Sequence, residues 1–263
     1  MHRKTAYAGD YPEFVADPDR EATCRLELRE YLTRVGQEPV DRNVDELFSL
    51  DSGVCDRFNY FAARMSEGTR PRLLVSGCAA GSEMIIARRY GFQEILGTEV
   101  VADYVLIAQR RLQNQSGFHV VLYDGYKLPF ADGTFTAVVS AHIIEHTPSP
   151  FHYLREHIRV LGRGGFLFLE FPNRYHLTEL HTGLPSVEYL PGPLRSLALR
   201  YRASAFSRRS QSQRNRYAAI LRTLQPVSVW QIKMYLRMMK DFNSRVVHNY
   251  SPAPGYTRML IAK

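Results

Sequence analysis

Between positions 70 and 171 the apolar residues of this chain follow two alternating rhythms. Short, mostly apolar runs at Leu73 to Val75, Glu94 to Gly97, His119 to Leu122, Ala137 to Ser140 and Phe166 to Phe171 suit strands buried on both faces. Between them lie segments with helical spacing: Met84, Ile85, Ile86, Ala87 and Tyr90, then Val101 to Leu112, then Ser149 to Leu161. Strand, helix and strand in succession predict an α/β fold, a mostly parallel sheet wrapped by helices. Ligands of such sheets lie beyond the carboxyl ends of the strands. The turns at 76 to 82, at 99, at 124 and at 140 to 146 are therefore expected to converge on one crevice.

The flanks read differently. Residues 1 to about 20 are polar and turn-rich, with Asp10-Tyr11-Pro12 and Asp17-Pro18-Asp19, and predict a loose arm. Glu21 to Val35 carries Leu26, Leu28, Tyr31 and Leu32 at helical spacing and ends at Gly36. A further helix is expected over Asp56 to Met65, where Phe58 or Tyr60 would either gate the crevice or pack on the sheet. Past residue 176 the rhythm breaks at Thr182-Gly183-Leu184-Pro185 and Leu190-Pro191-Gly192-Pro193. Ser228 is placed to cap a helix reaching about Lys240. Arg245 to Tyr250 and Thr257 to Ala262 read as an antiparallel hairpin.

The turn after the first strand, Gly77-Cys78-Ala79-Ala80-Gly81, has almost no side-chain bulk, so its backbone can approach a ligand closely. Free N–H groups at the start of the following helix face the same space. Glu99 follows the turn by about twenty residues, where nucleotide-binding α/β folds hydrogen-bond a ribose. The dinucleotide fingerprint would need glycine at 77, 79 and 82, but Ala79 and Ser82 occupy two of these places, which argues against NAD and FAD.

Gly77 to Gly81 resembles the Gly-Cys-Gly-x-Gly motif of the class I S-adenosylmethionine-dependent methyltransferases, with Ala79 replacing the middle glycine and Val75 standing where an acid is common. The likeness continues through Tyr123-Asp124-Gly125, Leu128-Pro129-Phe130-Ala131-Asp132-Gly133-Thr134-Phe135, Ile143-Ile144-Glu145-His146 and Val160-Leu161-Gly162-Arg163-Gly164-Gly165, the last resembling the turn into the fifth strand. It covers roughly residues 70 to 175 in order. The resemblance implies a Rossmann-like sheet, mostly parallel with an antiparallel last strand, preceded by helices and interrupted after the fifth strand by a helical insertion. The expected organisation is an arm and cap helices over 1–69, a cofactor-binding core over 70–175, a basic helical insertion or lid over 176–226, and a helix and hairpin over 227–263.

The resemblance also implies a cofactor, S-adenosylmethionine, leaving as S-adenosylhomocysteine. Gly77, Cys78, Ala79 and Gly81 would face its amino acid end and Glu99 its ribose, while Val100, Asp124 and Gly125 would lie at the adenine and Ser140 beside the site. His142 and His146, at the mouth of the crevice, are the candidate bases for deprotonating an acceptor, because imidazole titrates near neutral pH. Tyr60, Asn173, Arg174 and Tyr175 are the candidate acceptor contacts. In quinone-type O-methyltransferases a Glu-x-x-Glu-His run can hold a divalent cation. Here the run begins with His142, and a metal is the lesser reading.

Charge adds one feature. The net charge is +8, and Arg195, Arg200, Arg202, Arg208, Arg209, Arg214, Arg216 and Arg222 crowd one stretch without an acid. Such a patch attracts anions. It leaves open a phosphorylated, lipid-linked or carrier-bound acceptor, peripheral contact with a membrane, or nucleic acid. Nucleic acid is disfavoured, because Ser140-Ala141-His142-Ile143 replaces the Asn/Asp-Pro-Pro-aromatic motif of amino-methylating enzymes. With 45% apolar and 23% charged residues the chain reads as globular. It has no apolar run of ~18 residues and no signal-peptide core, so a soluble, cytoplasmic protein is expected. Cys24, Cys55 and Cys78 form neither a disulfide framework nor a zinc pattern. The expected activity is biosynthetic O-methylation of a small acceptor. A nucleic-acid methyltransferase and a noncatalytic scaffold are the rivals.

Overall fold

The computed structural model describes residues 14–50, 58, 72–175, 178–179, 184–185, 193–194, 197, 224–250 and 256–263. The alternation read from the sequence appears as β1 (Arg72–Ser76), α3 (Ser82–Arg89), β2 (Glu94–Glu99), α4 (Ala102–Arg111), β3 (Phe118–Leu122), β4 (Phe135–Ala141), α5 (Pro150–Val160) and β5 (Leu161–Pro172). Helices α1 (Pro18–Arg34) and α2 (Val40–Phe48) precede this core. After it come a short antiparallel pair, β6 (Thr178–Glu179) with β7 (Leu184–Pro185), then α6 (Val229–Met238) and the hairpin β8 (Arg245–Tyr250) and β9 (Tyr256–Ala262). Seven strands make one sheet in the order β3-β2-β1-β4-β5-β9-β8, the first five parallel and β9 antiparallel to β5. The order reverses direction between β1 and β4, and their diverging carboxyl ends open the crevice.

Burial on both faces explains the unbroken apolar runs. Leu73, Val75, Ala137, Val139 and Phe168 point to the side packed by α3 and α4. Their neighbours Leu74, Val138, Leu167 and Leu169 point to the side packed by Leu154 and Ile158 of α5 and Ile232 of α6. Such alternation buries both faces of the central strands. A third cluster joins Cys24, Leu28 and Leu32 of α1 and Val44 and Phe48 of α2 to Ala80 and Ile107, so the N-terminal helices dock on the turn after β1.

Several expectations are corrected. The arm is shorter than the sequence suggests, because Asp17 is an N-cap whose side chain accepts from the Arg20 amide and Pro18 takes the first helical position. That pairing starts helices as readily as it makes turns. Helix α2 lies outside the sequence-based expectation, since Gly36 and the Glu38-Pro39 pair punctuate the chain just before an amphipathic stretch of only nine residues. The segment Leu161 to Gly165, expected as a turn, belongs to β5, with the irregularity absorbed between the pairs Phe135–Leu161 and Ala137–Phe166. Within 176–226 the described residues include the short pair β6 and β7 and helical positions at 193, 194 and 197, and most of the arginine-rich stretch lies outside the described residues. So does Tyr60. Phe58 is fully buried against Tyr90 and Phe92, which makes it a packing residue and not a gate. Among the described residues, no helix is long and apolar enough to cross a membrane.

One close approach fixes the path of the cofactor turn. A Cβ on Gly97 of β2 would lie 2.7 Å from Cys78 Sγ and 2.9 Å from Cys78 Cβ. Gly97→Ala is expected to push Cys78 and its turn off β2 and to lower stability by about 1–3 kcal/mol, read from chemical denaturation midpoints.

Candidate functional site

The turn between β1 and α3 is shaped by backbone conformation. Gly77, Ala79 and Gly81 have φ of +73°, +43° and +83°. A Cβ on Gly77 would lie 2.2 Å from Ile143 Cδ1, so a side chain there would have to displace Ile143 and strain the backbone. The amides of Gly77 and Cys78 both donate to the Thr98 carbonyl at the end of β2. Cys78 is buried with its thiol pushed up in pKa by desolvation, so it packs and does not react.

Glu99 closes the same turn from the other side. Its Oε2 accepts from the Ala79 amide at 3.1 Å, and Oε1 accepts from the amides of Val100 and Val101 at 2.7 and 3.3 Å. The carboxylate is 8% exposed, at the carboxyl end of β2. Next to it Val100 is exposed, and its Cγ1 would lie 3.5 Å from a Cβ on Gly125. Asp124 is exposed and accepts from the amides of Tyr126 and Lys127, which hold its carboxyl below the usual range, the Lys127 bond contributing most. Gly77 to Gly81, Glu99, Val100, Asp124 and Gly125 therefore follow the carboxyl ends of three adjacent strands.

Ser140 is placed differently from the reading of the sequence. It is fully buried and its hydroxyl meets the Tyr153 hydroxyl at 2.7 Å, below the crevice. Tyr153 also meets Ser76 at 2.8 Å, and Ser76 Oγ lies 2.9 Å from His157 Nε2. His157 Nδ1 lies 2.7 Å from the Tyr153 carbonyl, so Nδ1 carries the proton and Nε2 accepts from Ser76. These four side chains join β1, β4 and α5 where the sheet order reverses. Tyr123 leans on the same Ser76, and burial raises its pKa to about 12. Only the apolar neighbours of Tyr153 and His157 follow a helical pattern, so the network left no sequence signal.

At the end of β4, His142 adopts φ +58°. Its amide donates to the Glu170 carbonyl and its Nε2 lies 2.8 Å from Glu170 Oε1. Glu170 also pairs with Arg258 of β9, and both are buried. The ring packs edge-on against Tyr256 at 5.2 Å, and Nδ1 lies 3.8 Å from the carboxylate of buried Glu145. His142 is thus clamped between β5 and β9 while remaining part-exposed. His146 sits on the next turn with Nε2 4.0 Å from Glu145 and is more exposed. Among the described residues, no group of three or more His, Cys, Asp or Glu is arranged to hold a metal ion.

Beyond β5, Asn173 Oδ1 accepts from the Tyr175 amide, Tyr175 is exposed, and the Arg174 amide donates to the Val227 carbonyl. A cavity of about 280 Å³ opens there, lined by Arg174, Leu224, Gln225, Gln231 and Tyr235. The Gln225 amide donates to the Glu145 carbonyl, which sets this cavity against the turn carrying His146.

Residues 74–169 match the methyltransferase domain family. Over 138 residues the chain is 29% identical to ajmaline N-methyltransferase of Rauvolfia serpentina, covering 50% of this chain and 44% of that protein. Over 115 residues it is 31% identical to fatty-acid O-methyltransferase of Mycolicibacterium smegmatis, covering 43% and 42%. The chain thus spans less than half the length of either relative. The fold matches that of an S-adenosylmethionine-dependent methyltransferase from Mesorhizobium loti with a TM-score of 0.57 at 14% identity, over 82% of this chain and 100% of that one. The matched residues 74–169 lie in the parallel part of a seven-stranded sheet that has the Rossmann-like fold of that methyltransferase.

The network beneath the crevice makes stability depend on pH. Burial lowers the His157 pKa to about 4, from about 6.5 in an unfolded chain. Below about pH 6.5 the unfolded chain takes up a proton that the folded chain refuses. Stability is therefore full above that pH and falls toward pH 4, by about 3 kcal/mol. Melting temperatures across pH 4–8 are expected to show this slope, and His157→Gln to flatten it.

Proposed function

We propose that this protein is an S-adenosylmethionine-dependent methyltransferase acting on a hydroxyl of a small or carrier-linked acceptor, with His142 as the base. The observation that carries the reading is the clamp on His142, a histidine held by a buried carboxylate at the carboxyl end of β4. A base must be held in register with the proton it removes, and a neighbouring carboxylate sets the tautomer.

The residues present fit the cofactor. The turn at 77–81 offers backbone without side-chain bulk, and Glu99 keeps acceptor capacity on Oε2, which receives only one of the three amide bonds described. Exposed Val100 and the side-chain-free Gly125 would bound a flat ring, and Asp124 supplies an acceptor beside it. Bound there, S-adenosylmethionine would supply a methyl group on a sulfonium, open to displacement by a nucleophile. Glu99 would accept from ribose hydroxyls, and Ala79, Cys78 and Gly81 would bound the amino acid end. With Nε2–H donating to Glu170, Nδ1 of His142 is the nitrogen that would take the acceptor proton. Glu145 and Glu170 would then flank the positive ring.

The cavity beside Arg174 suits an acceptor of small-molecule size. Asn173, Arg174 and Tyr175 remain the candidate contacts, and the arginine-rich stretch the candidate contact for an anionic carrier or surface. The relatives include both an N- and an O-methyltransferase, so an amine is the competing acceptor.

Calorimetric titration with S-adenosylhomocysteine is expected to show binding that weakens at least ~10-fold, about 1.4 kcal/mol, in Glu99→Ala. Absence of binding to the unaltered protein would favour a noncatalytic scaffold. With a hydroxylated acceptor in hand, His142→Gln should lower kcat by ~10²–10⁴ while leaving that affinity unchanged. Transfer to amines alone would overturn the oxygen assignment.

A further inference from the structure

Arg111, at the carboxyl end of α4, is 1% exposed, and its guanidinium makes five contacts with hydrogen-bond acceptors. Nε and one Nη donate to the two carboxylate oxygens of Glu21 on α1, at 2.9 and 2.7 Å. The same Nη donates to the Phe48 carbonyl at the end of α2. The other Nη donates to the Ala80 carbonyl at 3.0 Å and the Ser82 hydroxyl at 2.7 Å, both in or next to the turn after β1. The Ser82 hydroxyl in turn donates to the Leu47 carbonyl, and the Phe48 ring lies 4.2 Å from the guanidinium carbon. One side chain thus ties the cofactor turn to both N-terminal helices. A planar fork of five donors can do this and an ammonium group cannot.

We infer that Arg111 is a positioning residue for the cofactor turn, holding it in its binding form only while α1 and α2 are docked. The turn needs such support. Ala79 lies in the left-handed region, where a residue with a Cβ is strained and persists only if its surroundings over-determine it. Glu99 holds the Ala79 amide from β2. Arg111 holds the next carbonyl from the opposite side, and Ala80 itself packs among Leu28, Leu32, Val44 and Phe48. Release of α1 takes away the partner of a buried charge, and the turn loses one of the two side chains that anchor it.

Hydrogen exchange tests this on the ligand-free protein and does not depend on the cofactor reading. Glu21→Gln removes the charge from α1, far in sequence from the turn and outside the cofactor site. Its amide can still bond Arg111 once, which favours a folded variant. Exchange in α1 and in residues 77–83 is expected to rise together, at least ~10-fold. Faster exchange in α1 with an unchanged turn would overturn the inference, as would no change in either. Ser82→Ala, which cuts the relay to Leu47 and leaves the charge pair intact, supplies a second variant and should loosen the turn and α2. S-adenosylhomocysteine titration then separates positioning from mere scaffolding. If Glu21→Gln lowers the fraction of competent turn to a tenth, affinity falls ~10-fold in proportion. A loosened turn with unchanged affinity would overturn the positioning role. Failure of the unaltered protein to bind would instead overturn the cofactor reading, and the exchange result would still decide the coupling.

Discussion

A backbone turn with three residues at positive φ cannot hold itself in place, and the architecture of this protein follows from how that turn is held. Gly77 to Gly81 must leave β1 beneath Ile143, pass over Gly97 and start α3. No regular hydrogen-bond ladder supports such a path. Support comes instead from the ends of neighbouring elements. Thr98 accepts two amides, Glu99 accepts a third, and Arg111 donates to the carbonyl that follows. Each group lies at the end of a strand or helix whose burial in the core fixes it.

The other half of the crevice is built on the same plan with different chemistry. Ser76 and Ser140 lie on adjacent strands and point into the packing under α5, where Tyr153 and His157 tie them together. His142 then rises from β4 against Glu170 and Arg258. The crevice thus has one wall held through backbone amides and a guanidinium, and another held through hydroxyls and carboxylates. Both walls rest on charged or polar side chains inside the protein, which stay there because each meets a partner.

Much of the fold is legible because burial on both faces writes itself into sequence as runs of apolar residues. The five parallel strands and the helices between them carry that signature, while the Ser228 cap is legible from its side-chain chemistry. Gly77, Gly81 and Glu99 are legible through spacing along a single strand-turn-helix unit. Arg111 with Glu21, and Glu170 with Arg258, are not. Their partners lie 90 and 88 residues away, and no periodicity marks a charge whose match is supplied by topology. Ser140 suggests a crevice residue because it ends a strand, but alternation along β4 sends its side chain inward. Pro18 suggests a turn because Asp-Pro serves both turns and helix starts, and only the helix behind it decides between them.

The pairing of Glu170 with Arg258 sets an order of events in the making of the protein. Synthesis on the ribosome delivers β1 to β5 before β9, so the core strands can assemble while Glu170 still faces the open edge of the sheet. A carboxylate there keeps its water until Arg258 arrives, which hinders premature closure of that edge by any apolar strand. The same strand brings the Tyr256 ring edge-on against His142, whose hydrogen bonds to Glu170 lie between the end of β4 and β5. The strand that completes the sheet is thus also the one that completes the packing around the histidine.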